Sequence, residues 1–194
     1  MSHFIAPYDT LSFEDFEDLL PDRPHDQRWE LIAGRVIKMM VGARWEHNRI
    51  SQNVAFRLRQ QLKAAGAPFH VFLETFYMKN KAVESATLPD VMVACGPLRS
   101  GATSVDNPVI LVEVMSRGSA HRDRHEKWQA YRRLASLQHY VLIERDQACV
   151  HVFDRTGDAW ASLRSLEGLD AILDLPALGL AVPLRDIYED VLSA

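Results

Sequence analysis

The order of elements predicts an α/β fold, a mixed β-sheet flanked by helices, and three observations carry that reading. Residues 108–116, PVILVEVMS, form an apolar run short enough for a buried strand. Residues 45–65 and 123–135 have helical spacing and stand before and after it. Short apolar segments bounded by Gly, Pro, Asn and Ser fill the rest. The chain therefore reads helix, hairpin, helix, several strands, helix, strands.

Leu11 to Leu20 reads as a short helix, with Ser12 as N-cap, Asp15 at the third helical position and a Leu11–Phe16 staple. Pro21 and Pro24 stop it. RWELIAGRVIKMM follows, two apolar runs joined at Ala33 and Gly34, the pattern of a hairpin with Glu30 at its head. From Trp45 to Ala65, Ile50, Val54, Leu58 and Leu62 recur every four residues and Gly66 closes the helix. Arg49, Arg57, Arg59 and Lys63 occupy its other positions, as a solvated face or as a phosphate-facing one.

Phe69 to Tyr77 is rich in strand formers, and a turn-prone stretch from Met78 to Ala86 follows. LPDVMVAC is the next strand and GPLRSGATSVDN a surface loop leading to the central strand. A charged helix from about Asp123 to Ala135 precedes HYVLIER and ACVHVFDR, split by a turn at Asp146 and Gln147. A strand around Trp160 to Leu166 and a short helix after Pro183 complete the chain. Trp29, Trp45, Trp128 and Tyr140 read as core or core-edge aromatics, with base stacking as the functional alternative.

A chain of 194 residues with 47% apolar content can bury its core as one domain over residues 1–194. Its 22 basic against 26 acidic residues, a net charge of -4, exclude a global basic footprint, so any nucleic-acid site must be local. Cys95 and Cys149 are too few for a disulfide framework or a zinc cluster and fit buried thiols in a reducing compartment. The opening MSHFIAPYDT lacks the pattern of a signal peptide, and no stretch reaches the roughly 20 apolar residues of a membrane span. The expected location is cytoplasmic, with no membrane partner.

In the central strand, Val109, Leu111, Glu113 and Met115 point to one face and Ile110, Val112 and Val114 to the other. Glu113 thus sits among aliphatic neighbours, where a carboxylate needs a partner, a cation or a proton. Asp90, just after Pro89, heads the other short apolar segment. Two acidic groups on adjacent strands are what a hard divalent cation takes as oxygen ligands. On the charged helix Asp123, Lys127 and Tyr131 are spaced by four, so they rise along one face and Lys127 can reach the space in front of Glu113.

RWELIAGRVIKMM, EHNRI, LPDVMVA, VEVMSRGSAHRDRHEKWQAYRRL and HYVLIE, in that order, resemble the Uma-type family of putative restriction endonucleases, a branch of the PD-(D/E)XK nuclease superfamily. The resemblance spans about residues 10–190 and implies a restriction-endonuclease-like core, a divalent-metal site and phosphodiester hydrolysis. Carried over by position, it implies that Asp90, Glu113, Lys127 and Glu30 are catalytic. The implied Mg²⁺ ligands, with Mn²⁺ as substitute, are Asp90, Glu113, the Val114 carbonyl and Glu30. Asp123, Tyr131 and His47 are supporting residues, Tyr131 giving a KxxxY arrangement. The superfamily lysine would stand two residues after Glu113, where this chain has Met115, so the resemblance implies a lysine relocated to Lys127 or a weakened site.

The expected function is a metal-dependent endonuclease acting on DNA, with a homodimer expected because nucleases of this fold commonly pair. The alternatives are a weak or inactive relative retained as a nucleic-acid- or partner-binding module, and a hydrolase of simpler phosphoesters on the same scaffold. Structural readings stand beside each site residue: Glu113 paired with Arg117 or Lys127, Asp90 closing a turn, and Glu30 exposed and paired with Arg28. Lys127 and Asp123 as ordinary helix charges and His47 as a cap or core-edge residue complete these readings. His121 and His125 have a metal-ligand spacing without an acidic residue to complete a zinc motif.

Overall fold

Alternating burial sorts the long strands into two sheets that share one core. A computed structural model describes residues 10–40, 42–116 and 122–192, except for the side chains of Arg122 and Asp123. Helix α1 (Phe13–Leu19) begins as expected, with the Ser12 hydroxyl accepting from the Asp15 amide at 3.1 Å. Strands β1 (Gln27–Ile32) and β2 (Arg35–Met40) form the hairpin; its turn residues Ala33 and Gly34 have φ of 49° and 82°. Both are left-handed, the turn whose twist matches that of the flanking strands. Helix α2 (Trp45–Ala64) buries Ile50, Val54, Leu58 and Leu62.

The aromatic segment is not one strand. Strand β3 (Phe69–Leu73) ends where the Thr75 and Phe76 amides both turn back to the Leu73 carbonyl, and β4 (Tyr77–Asn80) starts in another sheet. Phe76 folds back on Phe72, ring centroids 4.2 Å apart. The stretch from Met78 to Ala86 is likewise no simple loop: β4 and β5 (Ser85–Thr87) pair across a single 3-10 turn. Strand β6 (Val91–Cys95) and the central β8 (Pro108–Met115) are antiparallel, and the intervening loop adds β7 (Ser104–Val105) beside β4.

The charged helix is shorter than its charge pattern suggests. A π-helical turn, Arg122–Lys127, runs into a single α turn, α3 (Trp128–Tyr131). Strands β9 (His139–Glu144) and β10 (Cys149–Thr156) follow, β9 parallel to β8. The strand expected around Trp160 to Leu166 is two short ones, β11 (Ala159–Trp160) and β12 (Arg164–Glu167), both paired with β10. A hairpin of β13 (Ile172–Leu175) and β14 (Leu180–Pro183) precedes α4 (Leu184–Ile187).

The larger sheet runs β11-β10-β9-β8-β6-β3 with β12 also on β10; the smaller runs β2-β1-β5-β4-β7. The alternation in β8 holds: Ile110, Val112 and Val114 pack with α2, the β13–β14 hairpin and α4. Leu111 and Met115 face the other way, meeting Tyr131 and Ala130 of α3 and Ile32 and Met78 of the smaller sheet. Both faces are therefore dry, and Glu113 lies on the second. Helix α1 covers Leu31 and Ala86 on the remaining face of the smaller sheet. No helix among the described residues is long and apolar enough to cross a membrane.

Candidate active site

The two sheets meet where β5 of the smaller one leads through Leu88 and Pro89 into β6 of the larger. Asp90 sits at that junction. Because β6 begins at Val91, opposite Val112, Val114 two residues on has β9 on one side and no β6 residue on the other. The Asp90 carboxylate takes that place, accepting from Val114 N–H at 2.7 Å. In an extended strand the carbonyl points to the same side as the amide of its residue, so Val114 turns both towards Asp90. His47, on the first turn of α2, brings Nε2 within 3.1 Å of the same carboxylate oxygen. Burial draws the His47 imidazole towards its neutral form, but the hydrogen bond and charge of Asp90 outweigh it, and its pKa lies above the ordinary 6.5.

Glu113 Oε1 receives the Lys127 ammonium at 2.8 Å, both side chains buried. The same ammonium lies 3.5 Å from Glu30 Oε1, which also accepts from the Leu88 amide at 2.8 Å. Glu30 is 1% exposed, not an exposed strand residue; Arg28 pairs instead with Glu74 at 2.9 Å. The second oxygen, Glu30 Oε2, is buried with no hydrogen-bond partner among the described residues. Tyr131 places its hydroxyl 2.8 Å from Thr87 Oγ1 and 3.3 Å from Glu113 Oε1. Burial raises its pKa well above 10.0, with the neighbouring carboxylates adding to the shift against Lys127, so it serves as a neutral donor.

Glu30, Asp90, Glu113, Val114, His47 and Lys127 all line one cleft of about 390 Å³. These sequence-predicted residues thus converge, whereas Met115 is packed in the core. Asp123, Arg117 and His121 lie outside what the structure describes, and His125 is exposed. Sequence reasoning missed three cationic walls of the cleft, Arg28, Arg44 and Arg145. Arg145 was findable. It follows β9, which runs parallel to β8 with Met115 opposite Glu144, so it emerges at the same end of the sheet as Glu113. Its guanidinium is held by Asp146 at 2.7 and 2.8 Å.

The donors that could face a cation are all hard oxygens. Among the described residues no three His, Cys, Asp or Glu side chains enclose an ion by themselves. Mg²⁺ does not require that, since it keeps several waters and takes one or two carboxylates. Arg28, Arg44 and Arg145 also line the cleft, but Arg28 and Arg145 are engaged by Glu74 and Asp146, and one buried carboxylate oxygen, Glu30 Oε2, is orphaned among the described residues. That orphaned oxygen fits a cation.

The architecture, a mixed sheet flanked by helices, is that of a nuclease-like fold. It is similar to the crystal structure of a putative nuclease belonging to DUF820 from Anabaena variabilis ATCC 29413, with a TM-score of 0.75, 18% identity, and 94% of this chain and 99% of that one covered. The chain belongs to the Uma2 family, described as "Putative restriction endonuclease", whose model matches residues 13–185. Two relatives from Synechocystis sp. (strain ATCC 27184 / PCC 6803 / Kazusa) are uncharacterized proteins. One, sll1609, is 30% identical over 76% of this chain and 84% of its own length. The other, slr1290, is 24% identical over 94% of each.

Proposed function

We propose that the protein is a divalent-metal-dependent endonuclease that hydrolyses phosphodiester bonds of DNA. The observation that carries this reading is that Glu30, Asp90 and Glu113, from separate stretches of chain, line one cleft, with Lys127 between Glu30 and Glu113. Asp90, Glu113 and the Val114 carbonyl would hold Mg²⁺, or Mn²⁺ in its place, with Glu30 acting through a bridging water or a second ion. Such an ion supplies a Lewis acid for the scissile phosphate and an acidified water.

The chain's own groups do the rest. His47 fixes the orientation of the Asp90 carboxylate, as partners behind metal ligands commonly do. Lys127 sits where its ammonium can contact a phosphate oxygen or orient the attacking water; Glu113 and Glu30 hold it there, and Tyr131 donates to the same Glu113 oxygen.

The test is nicking of supercoiled DNA by purified protein. Cutting should require Mg²⁺ or Mn²⁺ and be lost in Asp90→Asn, Glu113→Gln and Lys127→Ala proteins that still melt cooperatively. Undiminished cutting by those variants refutes the assignment. Sedimentation velocity tests the homodimer that cutting both strands would call for.

A further inference from the structure

A second cavity, of about 520 Å³, opens beside the first turn of α2. It shares Arg28, Gly42, Ala43 and Leu88 with the catalytic cleft, so the two adjoin. Trp45 lines it, and its indole is 61% exposed; the sequence reading of a core-edge aromatic does not hold. A lone exposed apolar side chain needs no explanation. Trp45 is not alone, because Tyr77 and Leu88 continue the apolar wall and Arg23 and Arg28 stand on the same cavity.

We propose that this cavity takes one unpaired nucleobase of the substrate strand, stacked on Trp45, next to the nucleotide whose phosphate is cut. The inference takes its substrate class from the nuclease reading. Four features favour this occupant. The volume lies in the range of about 300–1,000 Å³ typical of sites for small organic molecules. An exposed indole offers a flat face to any base, a contact that tolerates sequence. Arg23 on the wall suits a polyanionic backbone, while Arg28 is engaged by Glu74 of the same wall.

The fourth feature is polar. Gln27 and Asn48 line the cavity, and each commits its side-chain oxygen internally, to Trp29 Nε1 and Gln52 Nε2, both at 2.7 Å. Their amide NH₂ groups are donors for a base carbonyl or ring nitrogen. Continuity with the catalytic cleft sets the partner: a strand lying across Asp90 and Glu113 has its neighbouring base at this opening.

The test is a double-mutant cycle read by fluorescence anisotropy in Ca²⁺, with the integrity of each strand checked on a gel. The proteins are wild type, Trp45→Ala and Trp45→Phe. The probes are single-stranded oligonucleotides, deoxy and ribo, either complete or carrying an abasic site at successive positions. Trp45→Ala should weaken binding of the complete strand roughly 5- to 150-fold, the equivalent of the ~1–3 kcal/mol of one base–aromatic stack. Trp45→Phe should keep most of the affinity. One abasic position should weaken wild type by a similar factor and leave Trp45→Ala unaffected.

Equal binding of the complete strand by wild type and Trp45→Ala overturns the subsite, as does an abasic series with no sensitive position. Wild type that shows the Trp45-dependent cycle yet never cuts in Mg²⁺ or Mn²⁺ supports the subsite and overturns the nuclease reading instead. Metal-dependent cutting that Trp45→Ala performs as well as wild type, with equal binding, leaves the nuclease reading standing and overturns the subsite alone.

Discussion

Lys127 faces both Glu113 and Glu30 with its ammonium where all three side chains are buried. Lys127→Met should therefore destabilise the metal-free protein by about 3–5 kcal/mol, the usual result of stripping one partner from a buried pair. Adding Glu113→Gln to Lys127→Met should recover part of that loss, because the carboxylate left uncompensated is then gone. Urea denaturation of the two proteins measures it, and a double variant less stable than the single one contradicts the pairing. A second residue-scale expectation concerns His139, whose Nδ1 lies 2.7 Å from Asp154 Oδ1 while Nε2 accepts from the Ala177 amide at 3.3 Å. Burial pushes its pKa below 6.5 against the pull of Asp154. A second proton would meet the Ala177 N–H. As pH falls below 6.5 the unfolded chain protonates first, so stability is lost from there down to the folded value and is then constant. Asp154→Asn should lower the His139 midpoint further, which an NMR titration of its ring protons reads directly. At this scale the meeting of Glu30, Asp90, Glu113 and Lys127 in one cleft was legible in the sequence, from the alternation along β8, the four-residue spacing of the charged helix and the family resemblance. Arg28 and Arg44 were not, since nothing in a lone arginine says which cavity it faces.

At the scale of elements, what could be read were those with a strong period or a strong stop. Ala33 and Gly34 announced the first hairpin; the four-residue spacing from Ile50 to Leu62 announced α2. The turn between β3 and β4 was hidden because Glu74, Thr75 and Phe76 include no glycine, proline or asparagine, and aromatics on either side read as one strand. The π-helical turn was hidden for another reason: charge spacing cannot report an extra residue per turn. The hairpin that holds Glu30 also carries a correctable strain. Ala33 is exposed and adopts φ of 49°, a region in which asparagine is tolerated far better than alanine. Ala33→Asn supplies the Asn-Gly pair this turn favours and should raise stability by about 0.5–1 kcal/mol, comparable to other turn substitutions that relieve backbone cost. The urea midpoint should rise with an unchanged slope. An unchanged midpoint would show that the left-handed residue costs nothing here.

For the whole molecule, the cleft is the place where two sheets are joined by charge. Glu30 belongs to β1 of the smaller sheet, whereas Asp90 and Glu113 belong to the approach to β6 and to β8 of the larger one. Lys127 spans the seam, touching Glu113 and lying near Glu30, and Tyr131 spans it too, with its hydroxyl on Thr87 of β5 and Glu113 of β8. A divalent ion bound to the same oxygens would bind only the native state, because the unfolded chain scatters them. Binding should then stabilise by about 2.7 kcal/mol with the ion at a hundred times its dissociation constant, a rise in melting temperature on the order of 5–10 °C for a chain of this size. The distribution of that gain separates a bridging ion from one held by a single strand. With Mn²⁺ present, amide exchange should slow together in β1, β5, β6 and β8, which supply the oxygens or hold them, and the shift should disappear in Asp90→Asn. Slowing confined to β6 and β8 would mean that Glu30 takes no part, and its orphaned oxygen would then be a structural cost borne for Lys127 rather than a contact waiting for a cation.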